Sequence, residues 1–225
     1  MKRPLYLIYI LFLLDATTMV AQPDSVQVTR NFQFEDGIYL TFEELQANRP
    51  SLSWEDVDAQ LVASQQTFMA QVVYIRKKDG GQLLLDSIWG ICLKGTPFVR
   101  LPDTAPEQQA MMFSGLRVRG RIGYFTYEVE KTEMVEMAAY NPLTGRPFRK
   151  GAIPRKVAAV QEQILHFEDG RRNPFSREGF LEWIEDDQQL WRTVADLSDE
   201  EVQEKLYKCL LIYNDRNPVY VPARE

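Results

Sequence analysis

The chain predicts an α+β domain: an antiparallel β-meander sheet, or partly open barrel, with a short N-terminal helix and two C-terminal helices packed on it. Three observations carry this. Between Thr67 and Phe167, strand-like runs rich in Val, Ile, Leu and aromatic residues alternate with turn signals rich in Gly, Pro, Asn and Asp. After Pro174 the apolar residues fall at helical spacing instead. Thr41 with Glu44, and Ser198 with Glu201, have the spacing of capping boxes, so each pair marks a helix start.

Lys2 and Arg3 precede an apolar run from Pro4 to Leu14, and a polar stretch then ends in Val20-Ala21-Gln22. That is the layout of a secretory signal peptide cleaved near Ala21. A run of 11 residues is shorter than the roughly 20 that a spanning helix needs. The expected organisation is a leader, residues 1–21, and one α+β domain, residues 22–225, mainly β over 22–170 and mainly helical over 171–225. The expected location is periplasmic or associated with the cell envelope. Loss of the leader moves the formal charge from −6 to about −7. An acidic, exported chain is a poor candidate for nucleic-acid binding.

Asp36-Gly37 signals a turn, Ile38-Tyr39-Leu40 an extended run, and a helix from Phe42 closes at Arg49-Pro50, with Leu40 and Leu45 placed to form a hydrophobic staple. Gly37-Ile38-Tyr39 has the first letters of a GIY-YIG nuclease motif but no YIG partner follows. Three strands are expected next, "TFMAQVVYI", "QLLLDSIWGICL" and "FVRL", separated by turns at Lys78-Gly81 and Lys94-Pro97. "SGLRVRGRIGYFTYEVEK" reads as a strand with a bulge near Gly120 to Gly123, because Phe125, Tyr127 and Val129 fall on the phase of Arg117, Arg119 and Arg121. Those arginines read either as a solvent face or as a carboxylate-binding row. "EMVEMAAY" and "AVQEQILHF" read as two further strands. One helix is expected over 176–197, capped by Ser176, and a second from Ser198 with the stripe Val202, Leu206, Cys209, Leu210 and Tyr213, stopped by Asn214 and Pro218. Trp89, Phe125 and Tyr127 should share a core with Leu206 and Leu210. The string Phe-Glu-Asp-Gly recurs at 34–37 and 167–170, and a turn before a helix entry accounts for it as well as a duplication does.

Chemistry is narrowed by counting. His166 is the single histidine, so a His-rich zinc site is excluded, and GxSxG, Walker and dinucleotide glycine patterns are absent. No cofactor is implied. Cys92 and Cys209, the two cysteines, could form a disulfide in an exported protein or remain as buried thiols. The carboxylate runs 185–187 and 199–201 read as solvated helix faces.

"GIYLTFEELQANRP", "DSIWGICLKGTPFVRL" and "LYKCLLIYNDRNPVYV", with Trp89-Gly90 and Tyr213-Asn214 as their marked points, resemble a group of uncharacterised exported proteins of Bacteroidota-type bacteria. The resemblance implies export and a single-domain build, with no established activity. From the residues themselves, "TGRPFRKGAIPRK" stands out in an acidic chain. It places Arg146, Arg149, Lys150, Arg155 and Lys156 within 11 positions, and no acidic residue lies between Met137 and Gln161. It reads as a basic loop able to contact an envelope protein, an anionic lipid or a glycan. The expected function is thus a non-enzymatic binding or interaction protein of the envelope. Its rivals are a carboxylate-dependent hydrolase of an envelope glycan, needing two acids across a cleft, and a structural accessory subunit of an envelope assembly.

Overall fold

The computed structural model describes residues 25–81, 83–102, 110–140, 142–145 and 147–223, so the expected leader lies outside the described residues. In chain order the elements are β1 (Ser25–Gln27), β2 (Gly37–Tyr39), α1 (Phe42–Gln46), β3 (Val57–Ser64), β4 (Met69–Lys77), β5 (Gly90–Leu93), β6 (Thr96–Arg100), β7 (Met111–Gly115), β8 (Ile122–Tyr140), β9 (Pro147–His166), β10 (Arg172–Pro174), α2 (Arg177–Leu181), α3 (Gln188–Ala195), α4 (Asp199–Arg216) and β11 (Tyr220–Pro222). The class is α+β as expected. A curled antiparallel half-barrel has the strand order β2-β5-β6-β7-β4-β3, a second sheet the order β10-β9-β8, and β1 pairs with β11.

The corner at residues 36–50 folds as its letters dictate. Thr41 caps α1 by accepting from the Glu44 amide, and the Glu44 carboxylate reaches back to the amide of Leu40, one residue beyond the cap. Gly37 is required here. Its φ is +155°, and a Cβ would lie 2.5 Å from the carbonyl oxygen of Leu52. The staple does not form as expected: Leu45 and Phe42 enter a core with Trp89, Phe167 and Val99, whereas Leu40 packs against a different cluster around Ile38, Ile91 and Phe113.

Other expectations are corrected. The run 82–93 is not one strand; a 3-10 turn at Leu85–Ser87 precedes β5, which begins only at Gly90. β3 had no counterpart in the sequence reading; it pairs with β4 along its whole length. The helix expected over 176–197 is two, because Asp187 accepts from the Leu190 amide and starts α3 afresh. The final helix begins with the expected capping box at Ser198 and Glu201 but runs through Asn214 to Arg216, where Asn217 caps it.

The root of the β8–β9 pair is the middle layer. Residues facing each other across an antiparallel pair share a face, so Tyr124 with Ile164 lies on one side and Phe125 with Gln163 on the other. Ile122, Tyr124 and Ile164 pack against Phe180, Ile184, Leu206, Leu210 and Tyr213 of the helical end. Phe125 and Leu165 pack instead with Phe34, Leu45, Val99 and Leu101, and Trp89 and Tyr127 flank that second core. The expected single core joining Trp89, Phe125 and Tyr127 to Leu206 and Leu210 is therefore two cores on opposite faces of one ribbon.

Candidate functional site: a two-stranded arm

Beyond this root, β8 and β9 continue together as an arm. From Glu128 to Tyr140 and from Pro147 to Val160 they pair with one another, while β10 reaches only Gln163 to Leu165 and β7 stays at the body. At about 3.4 Å per residue the arm is roughly 40 Å long. Among the described residues, no strand pairs with the outer edge of either strand along this length.

This arm is where the structure puts the basic segment. It is strand, not loop, a correction with a clear physical reason. Gly151 and Pro154 do not prevent this, because proline is tolerated in an edge strand, where a missing N–H breaks no ladder on the open side. Pro154 stands opposite Met134 and Gly151 opposite Met137. Lys150, Arg155 and Lys156 are exposed on β9. Arg149 stands opposite Ala139 in the same ladder, and Arg146 lies outside the described residues.

The two arm strands carry opposite charge. β8 presents Glu128, Glu130, Glu133 and Glu136 with the single cation Lys131, whereas the β9 segment from Pro147 to Val160 carries basic residues and no acid. Some of this charge is used across the pair. Lys156 Nζ lies 2.9 Å from Glu130, and Glu133 stands directly opposite Arg155.

One face of the arm is the more apolar: Val129 with Ala159, Val157, Val135 with Ile153, and Met137. Val129, Val135, Val157 and Ala159 are half-buried, while Ile153 and Met137 are 47% and 55% exposed. Lys131, Glu133 and Arg155 interrupt that face; Glu128, Glu130, Glu136 and Lys156 occupy the other. Charges on both faces differ from the uninterrupted apolar band of a lipid-facing strand, and no described helix is long and apolar enough to cross a membrane.

The remaining site expectations resolve individually. Cys92 and Cys209 are both buried free thiols, one in the half-barrel core and one on α4 in the helical core, so the disulfide alternative is not formed. Burial, reinforced by the nearby Asp36 carboxylate, pushes the Cys92 thiol well above its usual range and leaves it protonated. Arg117, Arg119 and Arg121 lie between β7 and β8 and form no ladder. Arg117 donates to Thr67 O and Thr126 Oγ1, Arg119 to Phe32 O and Thr96 Oγ1, and Arg121 pairs with Glu168 and Asp186. Each ties a different segment to the body.

Two carboxylates do converge at Arg121, Glu168 at 3.1 Å and Asp186 at 3.5 Å, but the guanidinium stands between them. Asp186 also accepts from Tyr213 Oη at 2.9 Å, which makes it part of a network joining the β9–β10 turn to the helices. His166 Nδ1 lies 3.2 Å from Asp169, and its ring packs edge-on against Trp183. Among the described residues no group of His, Cys, Asp and Glu is arranged to hold a metal ion. No protein-family model, curated protein or solved structure matches this chain.

Proposed function

We propose that the protein is an exported, non-enzymatic interaction protein of the cell envelope, and that the β8–β9 arm is its contact element. The observation that supports this reading is the arm itself. A two-stranded ribbon without a third strand or a core behind it is marginally stable in water, yet here it extends for about a dozen residue pairs beyond the body. An edge of this kind is a template for strand addition. The basic β9 edge fits an acidic protein segment laid alongside it, because opposite charges facing each other across adjacent strands stabilise pairing and like charges oppose it.

The test is site-specific photo-crosslinking in the native host, with the reactive group at Ile153 on the arm and, for comparison, at Tyr220 on the body. The expected result is a discrete acidic partner attached from Ile153 and not from Tyr220. That adduct should be lost in the triple variant Lys150→Gln, Arg155→Gln, Lys156→Gln, which removes the positive charge without setting a carboxylate against Glu130 or Glu133, and whose circular dichroism and melting remain those of the parent. Equal crosslinking from both positions, or an adduct indifferent to the loss of charge, would remove the arm from the reading.

A further inference from the structure

An open cleft lies on the body, where the end of β6 meets β10. Its volume is about 610 Å³, and it is lined by Trp89, Arg100 and Arg172, with Leu40 and Pro102 on its apolar rim and Asp86 on its outer lip. Three elements bring these groups together. β5 and β6 pair so that the Arg100 amide donates to Trp89 O at 3.1 Å. β10, paired with β9, delivers Arg172, whose Nη1 donates to the carbonyl of Arg100 at 2.7 Å. The Trp89 ring is braced by Phe42 at 5.1 Å between centroids, and the Arg172 guanidinium sits 5.8 Å from the Trp89 ring centre.

The charge balance of the cleft is unusual. Arg172 is half-buried, and none of the described carboxylates forms an ion pair with it; its partners are a backbone carbonyl and an indole face. Desolvation lowers its pKa from the usual arginine value, but an arginine stays charged across the physiological range. A cation removed from water without a counter-charge is costly unless something compensates it. Arg100, with a side chain only 16% exposed, is bridged at 3.3 Å by Asp86, whose own side chain is 98% exposed. A carboxylate so exposed is held weakly and is readily displaced.

We infer that this cleft binds a small-molecule oxyanion, a carboxylate or a phosphate, held by the Arg172 and Arg100 guanidiniums, with the body of the ligand lying along Trp89, Leu40 and Pro102. Guanidinium groups match both anions through paired, charge-assisted N–H donors. The ring wall and apolar rim provide for a carbon skeleton, so free inorganic anion is the weaker of the two sources. Asp86 is then an internal competitor for one of the Arg100 donors.

The experiment is isothermal titration of the full mature chain at low ionic strength with D-glucuronate, with inorganic phosphate, and with D-glucose as the uncharged comparison. The expected result is saturable binding of glucuronate, of phosphate, or of both, and none of glucose. Glucuronate binding more tightly assigns a carboxylate on a carbon skeleton, and phosphate binding more tightly assigns a phosphoryl group. Arg172→Gln should weaken the anion about tenfold or more. Asp86→Asn, at a side chain that is 98% exposed, removes a negative charge from the lip of the cleft and should tighten it by about threefold. Absence of binding by both anions to the parent and to Asp86→Asn overturns the inference, as does full binding by a folded Arg172→Gln. If Arg172→Gln does not fold, Asp86→Asn decides: tighter binding supports the site and unchanged binding overturns it.

Discussion

Asn214 does more than its half-exposed position on a helix suggests. Its Oδ1 accepts from the Ile122 amide at 2.8 Å and its Nδ2 donates to the Ile122 carbonyl at 2.9 Å, so one side chain takes the place of a neighbouring strand at the first residue of β8. Gly120 leaves room for it, since a Cβ there would come within 2.7 Å of the amide group. Asn214→Leu removes both partners from a backbone whose side chain is fully buried and should cost about 2–3 kcal/mol, at the upper end for unsatisfied buried polar groups. Asn214→Asp keeps the acceptor but sets a carboxylate oxygen against the Ile122 carbonyl in place of the donor, so it should lose more. Urea unfolding followed by tryptophan fluorescence checks the order. Equal losses would mean that packing against Gly120, not the paired hydrogen bonds, sets the cost. Neighbouring Tyr213 is likewise fully buried and donates to Asp186 and Trp183 O. The Tyr213-Asn214 pair was visible in the sequence as a marked dipeptide. Its work was not legible there, because both partners lie some 30 to 90 positions away.

At the scale of elements, local chemistry was readable wherever the deciding atoms are near in sequence. The cap at Thr41, the box at Ser198 and Glu201, and the buried stripe Leu206, Cys209, Leu210 and Tyr213 follow from letters within one or two turns. The failure at 182–187 is instructive. Its apolar residues keep helical spacing, so periodicity predicts continuity, but Asp187 finds Arg216 at 2.8 Å as well as the amide of Leu190, and that pair of contacts fixes a new helix start. These same contacts, led by the bond from the Leu190 amide and then Arg216, hold the Asp187 carboxyl below the usual carboxylate range. A carboxyl depressed in the folded state contributes stability that is fully present above the unfolded value near 4 and is lost as pH falls through the folded value. Asp187→Asn retains a good cap but gives up the charge. It should therefore cost less than Asp187→Ala, which loses about 1 kcal/mol from the cap alone, and it should flatten the decline of stability below about pH 4. Melting temperatures of the three proteins between neutral and acidic pH measure both effects. A decline in Asp187→Asn as steep as in the parent would assign the acid sensitivity elsewhere.

The molecule as a whole is organised around the β8–β9 ribbon, which is buried at its root and solvent-facing along its outer half. Sequence reasoning found the class and the strand-to-helix order. It divided the ribbon into separate strands and a basic loop, since nothing in a local window distinguishes a long exposed hairpin from a polar connection. The basic residues of the candidate site were therefore found as a cluster and misread as to form, whereas Trp89 was marked singly and nothing joined it to Arg100 and Arg172, the three coming from segments brought together only by the sheet register. The division between root and arm makes a stability prediction. Phe125 is 1% exposed in the half-barrel core, and Phe125→Ala should cost about 3–5 kcal/mol, enough to threaten a domain of ordinary stability. Replacing residues 130–158 by a two-residue Asn-Gly turn removes a larger stretch of chain but none of the residues of the three buried clusters. The shortened protein should melt within a few degrees of the parent, because the hairpin beyond Glu128 stabilises little besides itself. If the shortened protein unfolds as readily as Phe125→Ala, the arm is part of the folding unit and its exposure is not a sign of a contact role. If it stays folded and no longer co-purifies the partner that Ile153 captures in the parent, the body is a platform and the ribbon is what it holds out to a partner.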